Sequence, residues 1–137
     1  IWGATELFSF GMLSFFYRDL KTADKKEIAR DLYKTTYGNL DSWLRCCTDL
    51  RNICAHYGRL YYRVFSAVPA TPKGFPVVLQ RSLFDNIVML KFLYPDRDRW
   101  NSEVLSAIIA LLEEYAGDIE LSHIGFPDNW EELLRAK

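Results

Sequence analysis

The sequence lacks the features of a secreted, membrane-spanning or disulfide-bonded protein. No basic segment precedes an apolar run and a small-residue cleavage site, so no signal peptide is visible. The longest apolar run, residues 7–17, is too short to cross a bilayer. The three cysteines, Cys46, Cys47 and Cys54, are an odd number without a C-x-x-C pair, which argues against a disulfide framework or a metal site. We expect a cytoplasmic protein without metal or cofactor, whose cysteines are small buried side chains.

An excess of charge of either sign is also absent. The net charge is −1, so any contact with nucleic acid must come from a local basic cluster. Half of the 137 residues are hydrophobic and 15% are aromatic, which is enough for one domain with a buried core. The chain begins at Ile1 in helix-like sequence, and we expect residues 1–137 to be a single domain and the C-terminal part of a longer protein.

Strand-like alternation is missing as well, and the periodicity is helical over almost the whole chain. Thr22 is a candidate helix cap, and Gly38 with Asn39 is a candidate helix stop. Asp128 and Glu131 have the spacing of a capping box. We predict an all-α bundle of about five to six helices, with a proline-rich connection at residues 68–76 and helices at residues 2–20, 22–37, 41–67, 80–94, 101–116 and after Pro127.

One stripe of the third predicted helix is polar and basic. Its members recur at spacings of four and three residues: Arg45, Asp49, Asn52, His56, Arg59 and Arg63. The opposite side is apolar and is predicted to face the core: Trp43, Leu50, Ile53, Tyr57, Leu60, Tyr61 and Val64. Arg51 lies at the flank of the polar half, about 140° around the helix from His56.

This stripe has two interpretations. It fits a solvated surface with i,i+4 pairs such as Arg45 with Asp49. It also fits a site for metal-independent RNA cleavage, because arginine suits phosphate oxygens and histidine exchanges protons near neutral pH. His56 would act as base on a ribose 2′-hydroxyl or as acid to the leaving 5′-oxygen, while Arg51 neutralises charge on the phosphorane. Asn52 precedes His56 by four residues, within reach of its ring.

The same residues carry a resemblance to a known family. Arg51-Asn52-Ile53-Cys54-Ala55-His56 resembles the R-N-x-x-x-H signature of HEPN-domain ribonucleases. A longer stretch of the sequence resembles the Abi-like (AbiD/AbiF-type) abortive-infection proteins of bacteria. It consists of IWGATELFSFGMLSFFYRDL followed by WLR and LRNICAHYGRLYYR. The resemblance covers residues 1–72 well, and residues 73–137 only in their helical character.

The resemblance implies an all-α HEPN-like bundle, a role in defence against bacteriophage, and RNA as substrate or ligand. It implies that Arg51, Asn52 and His56 form the catalytic set, and that two copies pair through the motif helix to form one composite cleft. We also expect Arg45, Arg59 and Arg63 to contact RNA phosphates. A non-catalytic RNA- or protein-binding module of a phage-resistance system is the alternative.

Two further residues have modest sequence signals. His123 lies near a predicted helix end, where a surface or capping role is expected. Tyr62 lies toward the Arg51 flank, where it either packs or stacks on a base.

Overall fold

Helices make up the regular structure of this protein, whose computed structural model describes residues 10–137. The elements are α1 (Phe10–Asp19), α2 (Thr22–Tyr33), α3 (Tyr37–Ala55), α4 (Leu83–Leu93), α5 (Arg97–Arg99), a π-helical segment (Trp100–Leu105), α6 (Ser106–Glu114), a 3-10 turn (Leu121–Ile124) and α7 (Trp130–Leu134). Within residues 10–137 there is no strand, so the all-α prediction is confirmed. None of the described helices combines the length and the apolar character needed to cross a membrane.

The N-terminal half of the core forms around α3, against which α1 and α2 both pack. Its buried side chains are Tyr17, Ala29, Leu40, Trp43, Cys46 and Met89. The predicted core positions Trp43 and Leu50 are indeed buried. Burying one face of α3 in this way leaves the opposite face to solvent.

The C-terminal half of the core joins α4 to the π-helical segment and α7. Its buried side chains are Leu79, Phe84, Val88, Trp100, Leu105, Ile124, Phe126, Leu133 and Leu134. The indole of Trp100 donates to the carbonyl of Leu134 at 2.7 Å. The Asn101 side chain also exchanges two hydrogen bonds with the main chain of Ala136, each 2.8 Å long. Because Val88 and Met89 of α4 belong to the two different halves, α4 connects them.

The prediction that α3 continues to residue 67 is wrong, since the helix ends at Ala55. Tyr57 takes a left-handed backbone with φ of 55°. The Gly58 amide then donates to the Ile53 carbonyl at 2.8 Å, and the Tyr57 amide donates to Cys54 at 3.2 Å. These two bonds form a Schellman motif, which satisfies the last carbonyls and turns the chain away. The core-facing predictions for Tyr57 and Val64 fail for the same reason, because both side chains are exposed.

Residues 56–82 form an irregular but well-anchored connection. The Trp43 indole donates to the Ala70 carbonyl at 2.7 Å, and the Ala70 amide donates to Ser42 Oγ at 3.0 Å. The Phe65 amide donates to the Arg81 carbonyl at 2.9 Å. Phe65 is itself buried, so this connection is fixed to the helices by both polar and apolar contacts.

Several predicted helix boundaries also require correction. Thr22 is the first residue of α2, and the residue before it makes no side-chain cap. Gly38 and Asn39 do not stop a helix; they lie in the first turn of α3, which Thr36 caps. The expected capping box at Asp128 is not formed, whereas Ser82 and Asp85 form one at the start of α4. The first predicted helix is described from Phe10, and its earlier part lies outside the described residues.

Candidate functional site at the end of α3

The three predicted catalytic residues lie together at the C-terminal end of α3. Asn52 belongs to its last turn, Arg51 directly precedes that turn, and His56 is the residue that caps the helix. All three are exposed. The His56 ring is therefore accessible to a nucleotide, and it is not enclosed among aliphatic side chains.

The Asn52 side chain contacts Arg51. Its Oδ1 accepts from Arg51 Nη1 at 3.5 Å, a long and weak hydrogen bond. The main-chain carbonyl of Asn52 accepts from the His56 amide at 3.1 Å. In this arrangement the helix backbone positions His56, while the Asn52 amide group is directed toward the guanidinium.

The three predicted phosphate-contacting arginines do not share one helical stripe. Arg45 is exposed on α3, and among the ion pairs of residues 10–137 none joins it to Asp49. Arg59 and Arg63 lie beyond the helix, where Arg63 Nε donates to the Arg59 carbonyl at 2.7 Å. A Cβ added to Gly58 would lie 3.5 Å from Arg63 Nη2, so the Arg63 guanidinium folds back toward the end of α3.

A cleft of about 790 Å³ opens next to this loop. Its lining includes Tyr62, Arg63, Arg81, Ser122, His123 and Gly125. The Tyr62 and His123 rings stack with centroids 4.3 Å apart and an interplanar angle of 36°. Arg63 thus belongs both to the cleft and to the loop that carries the end of the motif.

His123 takes part in a hydrogen-bond network that its sequence position does not predict. Its Nδ1 is 2.9 Å from the Tyr61 hydroxyl, and its Nε2 is 3.1 Å from Glu120 Oε2. The Glu120 amide donates to the same hydroxyl at 3.3 Å. A neutral ring with the proton on Nε2 satisfies every one of these contacts. No local pattern could have shown this, because Tyr61 and His123 are 62 residues apart.

The cysteines differ in environment. Cys46 is buried, and burial raises the pKa of its thiol to about 11. Cys47 is partly buried, and burial raises its pKa as well. The expectation that all three are buried is wrong for Cys54, which is exposed two residues before His56. Among residues 10–137, no group of three or more His, Cys, Asp or Glu side chains is placed to hold a metal ion.

Comparison with known proteins gives one family. Residues 1–62 match the family model described as Abi-like protein. The matched range includes Arg51, Asn52 and His56, and it ends one residue before Arg63. No curated protein and no solved structure matches the chain. Over residues 1–62, which contain α1, α2 and α3 as well as the exposed Arg51–His56 group, the chain is therefore similar to Abi-like proteins.

Proposed function

We propose that this protein is a metal-independent endoribonuclease of the HEPN type that acts in abortive infection. The Abi-like family suggests the abortive-infection role. The nuclease mechanism is our inference from the residues at the end of α3. The observation that carries it is that Arg51, Asn52 and His56 are all exposed at one helix end inside the matched range.

These side chains can supply the acid–base chemistry of RNA cleavage. The His56 imidazole takes the proton of a ribose 2′-hydroxyl as its oxygen attacks the adjacent phosphorus. The bond from phosphorus to the 5′-oxygen breaks, and that oxygen leaves with a proton from solvent water, to which the His56 imidazolium then returns its own proton. The products are a 2′,3′-cyclic phosphate and a 5′-hydroxyl. The Arg51 guanidinium stabilises the negative charge that develops on the phosphorane.

A second copy of the chain supplies the Arg51 guanidinium in this mechanism. Arg51 and His56 lie about 140° apart around α3, so one helix does not aim both groups at the same point. Two copies paired through their α3 ends bring Arg51 of one protomer to His56 of the other. Exposure of the whole group is consistent with this pairing, because nothing in the described part of the protomer covers it.

The remaining arginines fit contacts with the RNA backbone. Arg45, Arg59 and Arg63 are all exposed, and the last two extend from the loop directly after His56. Guanidinium groups bind phosphate oxygens without regard to base sequence. Binding should therefore weaken as salt is raised, because these contacts release counterions.

A non-catalytic binding module is the second candidate, and one observation favours it. The cleft beside the motif loop is lined by Tyr62, Arg63 and His123, and His56 is not among its lining residues. Stacking on Tyr62 and a phosphate contact from Arg63 would hold RNA without cutting it.

RNA cleavage in the presence of a chelator distinguishes the two candidates. We expect wild-type protein to cleave and His56→Ala and Arg51→Ala to lose at least about a hundredfold in rate, the scale of a general acid–base group. Arg30→Ala is the matched control, since Arg30 is exposed on α2 and pairs with Asp31 at 2.7 Å.

Binding and fold are measured in the same variants. Unchanged helical circular dichroism shows that a loss of rate is not a loss of structure. RNA binding by wild type without cleavage would favour the module, and cleavage that stops with chelator would contradict the metal-independent mechanism.

A further inference from the structure

A second cleft, of about 600 Å³, lies where the end of α2, the loop around Phe75 and the end of α4 meet the last residues of the chain. The charged side chains that line it are mostly cationic. The lining holds five cationic side chains and one carboxylate: Lys34, Lys91, Arg97, Arg135, Lys137 and Glu132. The chain as a whole carries −1, so this cleft concentrates positive charge that the overall composition does not show.

Most of these cations have no carboxylate partner. Within residues 10–137, the only cleft cation in an ion pair is Arg135, which is 2.9 Å from Glu131. Arg97 Nη1 donates instead to the main-chain oxygen of Lys137 at 2.5 Å. Like charges gathered without counter-charges repel each other, and a bound anion would remove that repulsion.

Lys91 is the innermost of these groups. Its Nζ donates to the Leu133 carbonyl at 2.8 Å and lies 5.3 Å from the centroid of the Phe92 ring and 6.0 Å from that of Phe75. Its pKa is lowered mainly by burial and further by the nearby charges of Lys137 and Arg97. The ammonium is thus held in place by a carbonyl and two rings, with hydrogen-bonding capacity remaining for an anion.

Aromatic side chains form the rest of the wall. Tyr33, Phe75, Phe92 and Tyr94 all line the cleft, and all are partly exposed. Aromatic rings beside cationic side chains suit a ligand that combines a flat base with a phosphate group.

We propose that this cleft binds the phosphate group of a nucleotide, with Lys91, Arg97 and Lys137 facing the phosphate and the aromatic wall facing the base. The phosphate belongs either to an RNA end or to a free nucleotide. This site is separate from the Arg51–His56 group. Lys34 lies just before the start of α3 and His56 caps its end, and the 19 residues of that helix span about 27 Å.

Equilibrium binding by fluorescence anisotropy tests the proposal. The probes are one labelled RNA oligonucleotide with a 5′-phosphate and the same oligonucleotide with a 5′-hydroxyl, and the competitor is unlabelled AMP. Stronger binding of the phosphorylated RNA identifies an RNA end as the ligand. Displacement of that RNA by AMP at a similar concentration identifies the free nucleotide as sufficient.

Two variants and a neighbouring control connect binding to the cleft. Arg97→Gln removes an exposed cation and Lys91→Met removes the partly buried one while keeping its stem, and we expect each to weaken binding about tenfold. Arg99→Gln is the control, since Arg99 is outside the cleft and pairs with Glu103 at 3.0 Å.

The outcomes separate this proposal from the nuclease. Equal binding of the two RNAs, without competition by AMP, would overturn the phosphate site. Displacement of the phosphorylated RNA by polyglutamate, an anion without phosphate, as effectively as by AMP would also overturn it. His56→Ala should bind the probes as wild type does, so loss of cleavage with retained binding would leave this proposal intact. Wild-type affinity in Arg97→Gln and Lys91→Met would contradict it even if the protein cleaves RNA.

Discussion

The phenol of Tyr17 is buried beneath α2 and the start of α3. Its hydroxyl donates to the Tyr37 carbonyl at 3.2 Å, and only 6% of the residue is exposed. Burial, with a smaller contribution from Asp41, raises the pKa of Tyr17 to about 12. A group whose folded-state pKa is raised above its unfolded value contributes stability that is present below the unfolded pKa and lost as pH rises toward the folded one.

We therefore predict that Tyr17→Phe alters the pH dependence of stability. At pH 8 the variant should be less stable by about 1 kcal/mol, because a buried hydrogen bond is lost. Between about pH 10, the pKa of an unfolded tyrosine, and pH 12, the wild type should lose this advantage. Urea unfolding at several pH values measures the difference, with Tyr57→Phe as the exposed control. Wild-type and Tyr17→Phe free energies that stay parallel from pH 8 to pH 12 would contradict the prediction.

Tyr57 shows how a single residue can decide where the candidate site lies. It is 98% exposed and adopts a left-handed backbone with φ of 55°, a conformation that costs a non-glycine residue about 1 kcal/mol or more. This residue turns the chain directly after His56. The turn places Arg59 and Arg63 in a loop beside the Arg51–His56 group instead of further along the same helix.

At the scale of elements, the end of α3 is where sequence-based reasoning fails. Apolar spacing at Leu60, Tyr61 and Val64 continues the helical period past residue 55, and Gly58 alone is a weak stop signal. Long-range contacts override that period. Tyr61 bonds to His123, and Phe65 bonds to the Arg81 main chain. Neither partner is visible in the local pattern.

Gly58 is the element-scale test of this helix end. A Cβ at this position would lie 2.7 Å from Ile53 Cγ2 and 3.0 Å from the Ile53 carbonyl oxygen. We predict that Gly58→Ala lowers the free energy of unfolding by about 1–3 kcal/mol, the usual cost of overpacking. Gly38→Ala is the matched control. It meets nothing within 4 Å inside the first turn of α3, so it should stabilise the protein by about 0.5 kcal/mol.

The two substitutions are compared by chemical denaturation at one pH. If the Schellman motif positions the loop, Gly58→Ala should also reduce RNA cleavage, while Gly38→Ala should not. Equal stability of the two variants would show that the end of α3 tolerates a side chain and that this packing argument is wrong.

At the scale of the whole molecule, what could be predicted depends on whether a feature is local. The all-α class and the burial of Trp43 and Leu50 follow from periodicity within one element. The exposure of Arg51 and His56 follows from the same amphipathic pattern. The basic cleft could not be predicted, because Lys34, Lys91 and Lys137 are ordinary lysines until packing brings α2, α4 and the last residues together. The Tyr61–His123 contact could not be predicted either, because packing brings together two residues that are 62 positions apart in the sequence.

The proposed pairing of two copies gives a prediction for the whole assembly. If Arg51 of one protomer forms a site with His56 of the other, then the Arg51→Ala and His56→Ala proteins are each inactive. They should complement each other when mixed. In a mixed dimer, one intact Arg51 faces one intact His56, while the other pair is lost. With random exchange of protomers in a two-fold dimer, the mixture should regain about a quarter of wild-type cleavage.

Cleavage is measured after the two variants are mixed and allowed to exchange, with each variant alone and a His56→Ala, Arg51→Ala double variant as controls. Light scattering of the same samples gives the oligomeric state. Activity should fall on dilution below the dimer dissociation constant, because a site shared between protomers disappears when they separate. A mixture that stays inactive although it is dimeric and has exchanged would show that each protomer uses its own Arg51 and His56. A monomer that cleaves RNA at full rate would remove the shared site altogether.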